Sequence, residues 1–267
     1  MTLIIDSGYT TTFADADVQA YLTAVETADN QALEYPVAVA IDEFVRGCKA
    51  DGIWTAIKAF CILAGARTRQ GALVPLVNAS GVAPTFNGTV GGWSYNRKTS
   101  GGNIIGLAGN GTDNFVDSGR NNNAEVSQDA KHMSVYVSTL PSVDNTSYIG
   151  MALAPGSSHL SRSNPGTVIV GVRVNSSSGF SSSLSNAVGL IGVARSSASE
   201  ITIRSGALNQ VATLASASPA NGNLLVFDGI GKSNARLAAY SIGENLNLAL
   251  LDARVTALIT AIGAAIP

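Results

Sequence analysis

Charge is what this chain has least of. Only 13% of its 267 residues are Asp, Glu, Lys or Arg, against roughly a quarter in ordinary soluble domains. Its 16 basic and 18 acidic residues leave a net charge of −2, so no electrostatic footprint for a nucleic-acid backbone is expected. Cysteine occurs twice, at Cys48 and Cys61. That is too few for a disulfide framework and reads as two reduced buried thiols, with their pairing left open. No Cys/His cluster has zinc spacing. The opening MTLIIDSGYT carries neither a basic stretch nor a long apolar run, which reads as no secretory signal. The most apolar stretch, near the C-terminus, includes Asp252 and Arg254 and reads against a bilayer span. The expectation is a soluble protein made in a cytoplasm, with no membrane insertion. Aromatics reach only 6% and much of the 46% apolar content is alanine. Gly, Ser, Asn and Thr supply the polarity instead, giving a neutral, amide-rich surface suited to carbohydrate or protein neighbours.

Apolar spacing divides the chain into three regions. Residues 2–13 read as an extended arm without a turn. Asp15 or Asp17 caps a helix whose Val18, Tyr21, Leu22 and Val25 share a face, and a second helix starts at Pro36 with Val37, Ile41, Phe44, Val45 and Cys48. A third is expected over Ile53–Ala64, with Trp54, Ile57, Cys61 and Ala64 on one face and Gly65 as its cap. Residues 1–70 are therefore read as an N-terminal arm and three-helix anchor. Residues 71–243 carry short strand-like runs separated by Gly, Ser, Asn and Pro, with SSSGFSSS (176–183) and ASASPANG (215–222) as exposed loops. The stretch around residues 104–138 sets the pattern. An apolar strand breaks at Gly109-Asn110-Gly111, resumes at Phe115-Val116, and a polar loop precedes His132–Ser138 with Met133, Val135 and Val137 on one face. Such strands predict an antiparallel β-sandwich. In residues 244–267, Leu248, Leu251, Val255, Leu258 and Ile262 recur at heptad-like spacing. Two readings stand open: a helix docked in a groove of its own chain, or an oligomeric seam, most simply a trimer.

The run Gly109-Asn110-Gly111-Thr112-Asp113-Asn114-Phe115-Val116-Asp117 resembles the concanavalin A-like (laminin-G-like) jelly rolls. Glu200–Val211 resembles that family's hairpin with a short return strand, and Asn223–Phe227 with Asn234–Gly243 its closing strands. The likeness spans roughly residues 84–243 and implies a mainly β fold with flanking helices. The helical segment from DADVQAYLTAVETADNQAL to GARTRQGALVPL, together with the ending ARLAAYSIGENLNLALLDARVTALITAIGAAI, resembles structural proteins of tailed bacteriophages. That resemblance implies a virion component made in the bacterial host: a tail fibre or adhesin, a head fibre or a capsid decoration protein. Its implied partners are other virion proteins, sister subunits and a host surface glycan.

The chemistry the chain offers is slight. Jelly-roll glycanases place Glu-x-Asp-x-x-Glu on one strand, because hydrolysis needs two facing carboxylates. The sandwich region has only Glu125 and Glu200 as glutamates, and neither stands in that pattern. Asp113 and Asp117 read as a turn cap and a solvated edge residue. No Gly-x-Ser-x-Gly elbow accompanies His132, which begins a strand, or His159, in the expected loop SSHLSRS; both read as surface or strand-end histidines. Gly229-Ile230-Gly231-Lys232-Ser233 lacks the first glycine of a phosphate loop and reads as a turn with a solvated lysine. No enzyme activity is expected; a free carbohydrate-binding lectin-like module stands as the alternative to the virion role, and a polysaccharide hydrolase is the weakest reading. No cofactor is expected either, except that Asp113, Asn114, Asp117 and Asn121 offer oxygens of the kind calcium takes in legume-type jelly rolls. For sugar, the candidates are Trp93 and Tyr95, beside Asn96 and Arg97, and the run Arg120, Asn121, Asn122, Asn123. Aromatic faces would stack on pyranose rings and amides bond to hydroxyls. Against this stands the plainer reading that both aromatics belong to the core and the asparagines make a turn.

Overall fold

The computed structural model describes residues 3–4, 10–11, 13–98, 105–163 and 169–266. Most of the expected arm lies outside these, as does Ile104. Where the arm is described it doubles back, since β1 (Leu3–Ile4) and β2 (Thr10–Thr11) pair antiparallel. Helix α1 (Ala16–Asp29) starts where the Asp15 carboxylate accepts the Asp17 N–H, and stops at Asn30 in the left-handed region, φ 53°. Helix α2 (Tyr35–Ala50) starts with Pro36 in its first turn, where a missing N–H costs nothing.

The third expected helix is not one. Trp54–Ala56 makes a single 3₁₀ turn and Ile57–Ile62 is strand β3. Phe60 and Ile62 pack toward the helices, while Ala59 and Cys61 point into the opposite core. A strand covered on both faces shows no polar alternation, so its apolar run mimics helical spacing. A short helix, α3 (Arg69–Ala72), capped by the Thr68 hydroxyl, leads into β4 (Pro75–Asn78). Strands β3 and β4 pair across the boundary expected near Gly71. The N-terminal region thus contributes a strand to the sandwich.

The strands that follow are β5 (Thr85–Asn87), β6 (Ser94–Asn96), β7 (Gly106–Ala108), β8 (Phe115–Asn121) and β9 (Lys131–Thr139). Next come β10 (Thr146–Gly150), β11 (Ser157–Ser163), β12 (Ile169–Ser176), β13 (Phe180–Ser185) and β14 (Gly189–Arg195). The last are β15 (Glu200–Ser205), β16 (Leu208–Thr213), β17 (Asn223–Val226) and β18 (Arg236–Gly243), before helix α4 (Leu248–Ala265). Among the described residues they form two antiparallel sheets. The seven-stranded sheet runs β13-β12-β11-β10-β17-β8-β5, and the nine-stranded sheet β16-β15-β14-β9-β18-β3-β4, with β7 and β6 branching from β18. The expected sandwich is present.

Three layers result. Between the sheets lie Leu107, Val116, Met133, Val135, Tyr148, Leu160, Val172, Ile191, Ile203, Val226 and Tyr240. On the outer face of the nine-stranded sheet a second core joins Leu190, Ala194 and Ala238 to α1, α2 and α4. The five heptad-spaced residues Leu248, Leu251, Val255, Leu258 and Ile262 are all buried there beside Val37, Ile41 and Phe44 of α2. Ion pairs bracket the helix: Arg254 meets Asp51 at 2.7 Å and Asp252 meets Arg204 of β15 at 2.7 Å. By length and composition α4 resembles a membrane-crossing helix, yet its apolar stripe packs on its own chain. The seam packs on its own chain, where those five side chains are at most 3% exposed.

Candidate functional site

Trp93 and Tyr95 are placed as structural residues. The Trp93 ring packs edge-on against Phe86 and Phe227, with centroids 4.9 and 5.8 Å apart. Tyr95 donates its hydroxyl to the Ala66 carbonyl at 2.8 Å, and burial pushes that hydroxyl well above the usual tyrosine range. Arg97 grips Glu34 with two bonds of 2.9 and 2.7 Å and reaches the Gly65 and Ala66 carbonyls. This stretch fastens the sandwich to the helices, with Trp93 and Tyr95 both half-buried.

The run Arg120–Asn123 is likewise spent on the fold. Arg120 is buried and doubly bonded to the buried Glu125 at 3.0 Å. Asn122 is fully buried and donates to the Gly156 and Ala220 carbonyls. Asn121 donates to Asn221 at 2.8 Å and accepts the Asn123 and Gly222 N–H groups. Asn123 is exposed and Asn121 half-buried. Two neighbours that composition gave no reason to single out complete this end of the sandwich. Lys131 and Arg195 sit opposite each other in register on β9 and β14, both fully buried. Lys131 donates to the Asn122 carbonyl at 2.7 Å, and burial pulls its pKa down to about 8 despite Glu125 nearby. Arg195 donates to the Val174, Ser197 and Leu214 carbonyls. A cation ending an apolar strand, as in GLIGVAR, was the available signal. Together these groups close one end of the sandwich with a buried charge network.

A polar open concavity lies elsewhere. The start of α4 lies beside strands β15 and β16. Ser196, Glu200, Thr202, Asn209, Asn245 and Asn247, with Leu246 and Leu248, line a cleft of about 400 Å³. Glu200 and Thr202 alternate with Ile201 and Ile203, which face the inter-sheet core, so both polar side chains point to the helix side. The Ser196 hydroxyl bonds Glu200 at 3.1 Å. Asn247 uses its side-chain oxygen to cap α4. Amide, hydroxyl and one carboxylate can bind a polyol or a peptide backbone. One carboxylate cannot perform the paired acid and base steps of glycoside hydrolysis.

The remaining candidates resolve as follows. His132 is fully buried, not surface-placed: Nδ1 lies 2.6 Å from the Glu244 carbonyl and Nε2 2.7 Å from the Ser241 hydroxyl. His159 lies on β11, not in a loop, and is also buried. Burial lowers both to about 4. Asp113 accepts from Thr89 and Asn110, and those bonds hold its carboxyl below the usual range, the reverse of what a general acid needs. Asp117 is bonded by Asn223 and the Gly119 N–H. Asn114 donates to Asn87 and Thr89 carbonyls on another strand edge. The carboxylates of Asp113 and Asp117 and the Asn121 side-chain oxygen thus accept separate structural bonds, while the Asn114 side-chain oxygen is buried without a hydrogen-bond partner. Among the described residues, no three His, Cys, Asp or Glu side chains gather as a metal site. Lys232, expected to be solvated, pairs with Asp228 and lies 4.3 Å from the Phe115 ring centre.

No family model matches the sequence. No curated protein matches it either. Among solved structures, domain 4 of AbnA, a GH43 extracellular arabinanase from Geobacillus stearothermophilus in complex with arabinotriose, aligns at 12% identity and a TM-score of 0.45, covering 73% of this chain and 97% of that one. Trypanosoma rangeli sialidase in complex with 2,3-difluorosialic acid aligns at 13% identity and a TM-score of 0.37, covering 85% and 40%. An arabinofuranosidase complexed with arabinofuranosyl-alpha-1,2-xylobiose aligns at 12% identity and a TM-score of 0.36, covering 58% and 44%. The chain spans well under half the length of the latter two. At these TM-scores no activity, ligand or residue role passes from them to this chain.

Proposed function

We propose that the protein is a non-enzymatic structural component of a tailed-bacteriophage particle, fastened through its arm and helical layer and displaying the sandwich outward. Its partners are other virion proteins and a host surface glycan, which would engage the amide-lined cleft between β15, β16 and α4. One observation supports the non-enzymatic part most directly. In the sandwich, Asp113, Asp117, Glu125, Asp144 and Asp228 are each bonded to a structural partner, both histidines are buried, and Asp129 keeps one carboxylate oxygen buried without a partner. Among the described residues of the sandwich, Glu200 opens onto a polar cleft.

Mass spectrometry of purified particles tests the assignment: peptides of this chain at stoichiometric abundance are expected, and their absence would overturn it. A glycan array separates display from recognition. Binding that Glu200→Gln and Asn209→Ala abolish is expected for recognition at the cleft. Release of reducing sugar from host surface polysaccharide by the purified protein would refute the non-enzymatic reading.

A further inference from the structure

An edge strand carries a row of unpaired N–H and C=O groups, which sandwiches ordinarily blunt with proline, charge, bulges or short length. Most edges of this fold are blunted in that way. Strand β4 begins with Pro75 and its register against β3 shifts between Phe60 and Cys61. Strands β5 and β6 are three residues long. The register of β13 shifts between Ile169 and Gly171, and the Ser183 N–H is taken by the Gln210 side chain at 2.8 Å. Strand β16, sequence LNQVAT, has no such device. It holds no proline and no charge, and pairs with β15 over six consecutive positions without a shift. Leu208 and Val211 on it are 64% and 63% exposed.

We propose that β16 is the interface between two copies of this chain, pairing antiparallel with β16 of the second copy about a two-fold axis at Val211. The hairpin geometry fixes which groups are available. Leu214 donates its N–H to the Ser199 carbonyl at 2.8 Å, so by alternation Leu208, Gln210 and Ala212 bond inward to β15. Asn209, Val211 and Thr213 point their N–H and C=O away from it, and among the described residues no backbone partner meets them. Those three positions are symmetric about Val211. A two-fold therefore sets Val211 against Val211 and Asn209 against Thr213 of the second copy, using every free group.

Side chains agree with that register. Val211, 63% exposed, meets its own copy on the helix side. The charges agree as well. Arg204 pairs with Asn209 and Glu200 with Thr213 on β15, so the two-fold aligns Arg204 of one copy with Glu200 of the other and places no like charges in line. The heptad seam on α4 is occupied by its own chain, so this edge, not the helix, is where copies meet.

Sedimentation of the full chain decides it. A species of twice 27.2 kDa is expected at about 10 µM. Val211→Pro removes one outward N–H without touching the β15 ladder, and Val211→Lys puts like charges on the axis. Each is expected to yield the monomer, while Leu250→Lys on the outer side of α4 leaves the dimer intact. In the unmodified chain, amide exchange at Asn209, Val211 and Thr213 is expected to slow as concentration rises. A monomer persisting at about 100 µM, a dimer surviving both Val211 variants, or those amides protected equally at every concentration would overturn the proposal.

Discussion

His132 makes the stability of this protein depend on pH in a window set by one buried ring. A carbonyl only accepts, so Nδ1 carries the proton and donates to Glu244, while Nε2 accepts from Ser241. Protonating Nε2 would put a full charge in a fully buried site with Lys131 as its chain neighbour and no carboxylate among the groups that shift it. The folded pKa falls from 6.5 to about 4 for that reason, burial first. The sign follows from proton counts. Between pH 6.5 and 4 the unfolded chain holds a proton on this residue that the folded chain does not, so stability falls as pH falls and levels off below 4. At about 1.4 kcal/mol per pH unit the full effect is on the order of 3 kcal/mol, of which about 2 kcal/mol is gone by pH 4.5. His159 and the carboxylates add their own pH dependence, so the measurement is a difference. Urea unfolding of the natural chain and of His132→Asn, which keeps a donor toward Glu244, is followed from pH 7.5 to 4.5. The variant should lose about 2 kcal/mol less over that range. Parallel curves would show that the ring is not the buried neutral base described here.

Glu125→Ala leaves Arg120 buried without its counter-charge and should cost on the order of 3–5 kcal/mol by urea unfolding; a loss below about 1 kcal/mol would refute the buried pair. Leu251→Ala should cost about 3–5 kcal/mol because the site is fully buried against α2 and the sheet. Leu250→Ala, on the exposed side of α4, should stay within about 0.5 kcal/mol, and equal losses would mean that the helix is not docked. Cys48 and Cys61 are buried and pushed up to about 12. Neither should react with a thiol reagent at pH 8 except at the rate of opening, and rapid labelling of the folded protein would contradict their burial.

Much of the fold was legible because most helices and strands keep one apolar face. Val18, Tyr21, Leu22 and Val25 marked α1, and Met133, Val135 and Val137 marked β9. The failures share a cause, which is burial on both faces or apolar content too thin to show a period. Strand β3 was misread because helices cover one side and the second sheet the other. Strands β11 and β13, SSHLSRS and FSSSLS, were read as loops because serines fill positions where a neighbouring backbone leaves little room. Gly171, for example, lies against the Ser161 and Ser163 side chains. The candidate site was less legible than the fold. Trp93, Tyr95 and Arg120 looked like ligand groups because partners such as Phe227, Ala66 and Glu125 are fixed only by tertiary packing. The cleft around Glu200 joins β15 to the start of α4, a juxtaposition that no local pattern encodes.

The place of β3 has a consequence for when the molecule can form. β3 is flanked by β4 on one side and β18 on the other, with Cys61 opposite Tyr240. β18 in turn lies between β3 and β9. A ribosome delivers β3 early and β18 nearly last, so the middle of the larger sheet stays open through most of synthesis. The first two helices emerge with no sheet to lie on, and β9 waits with one edge bare. Folding is therefore expected to be late and slow, dominated by pairings between distant segments. A nascent chain stalled before residue 236 should remain open to proteases that the finished protein resists.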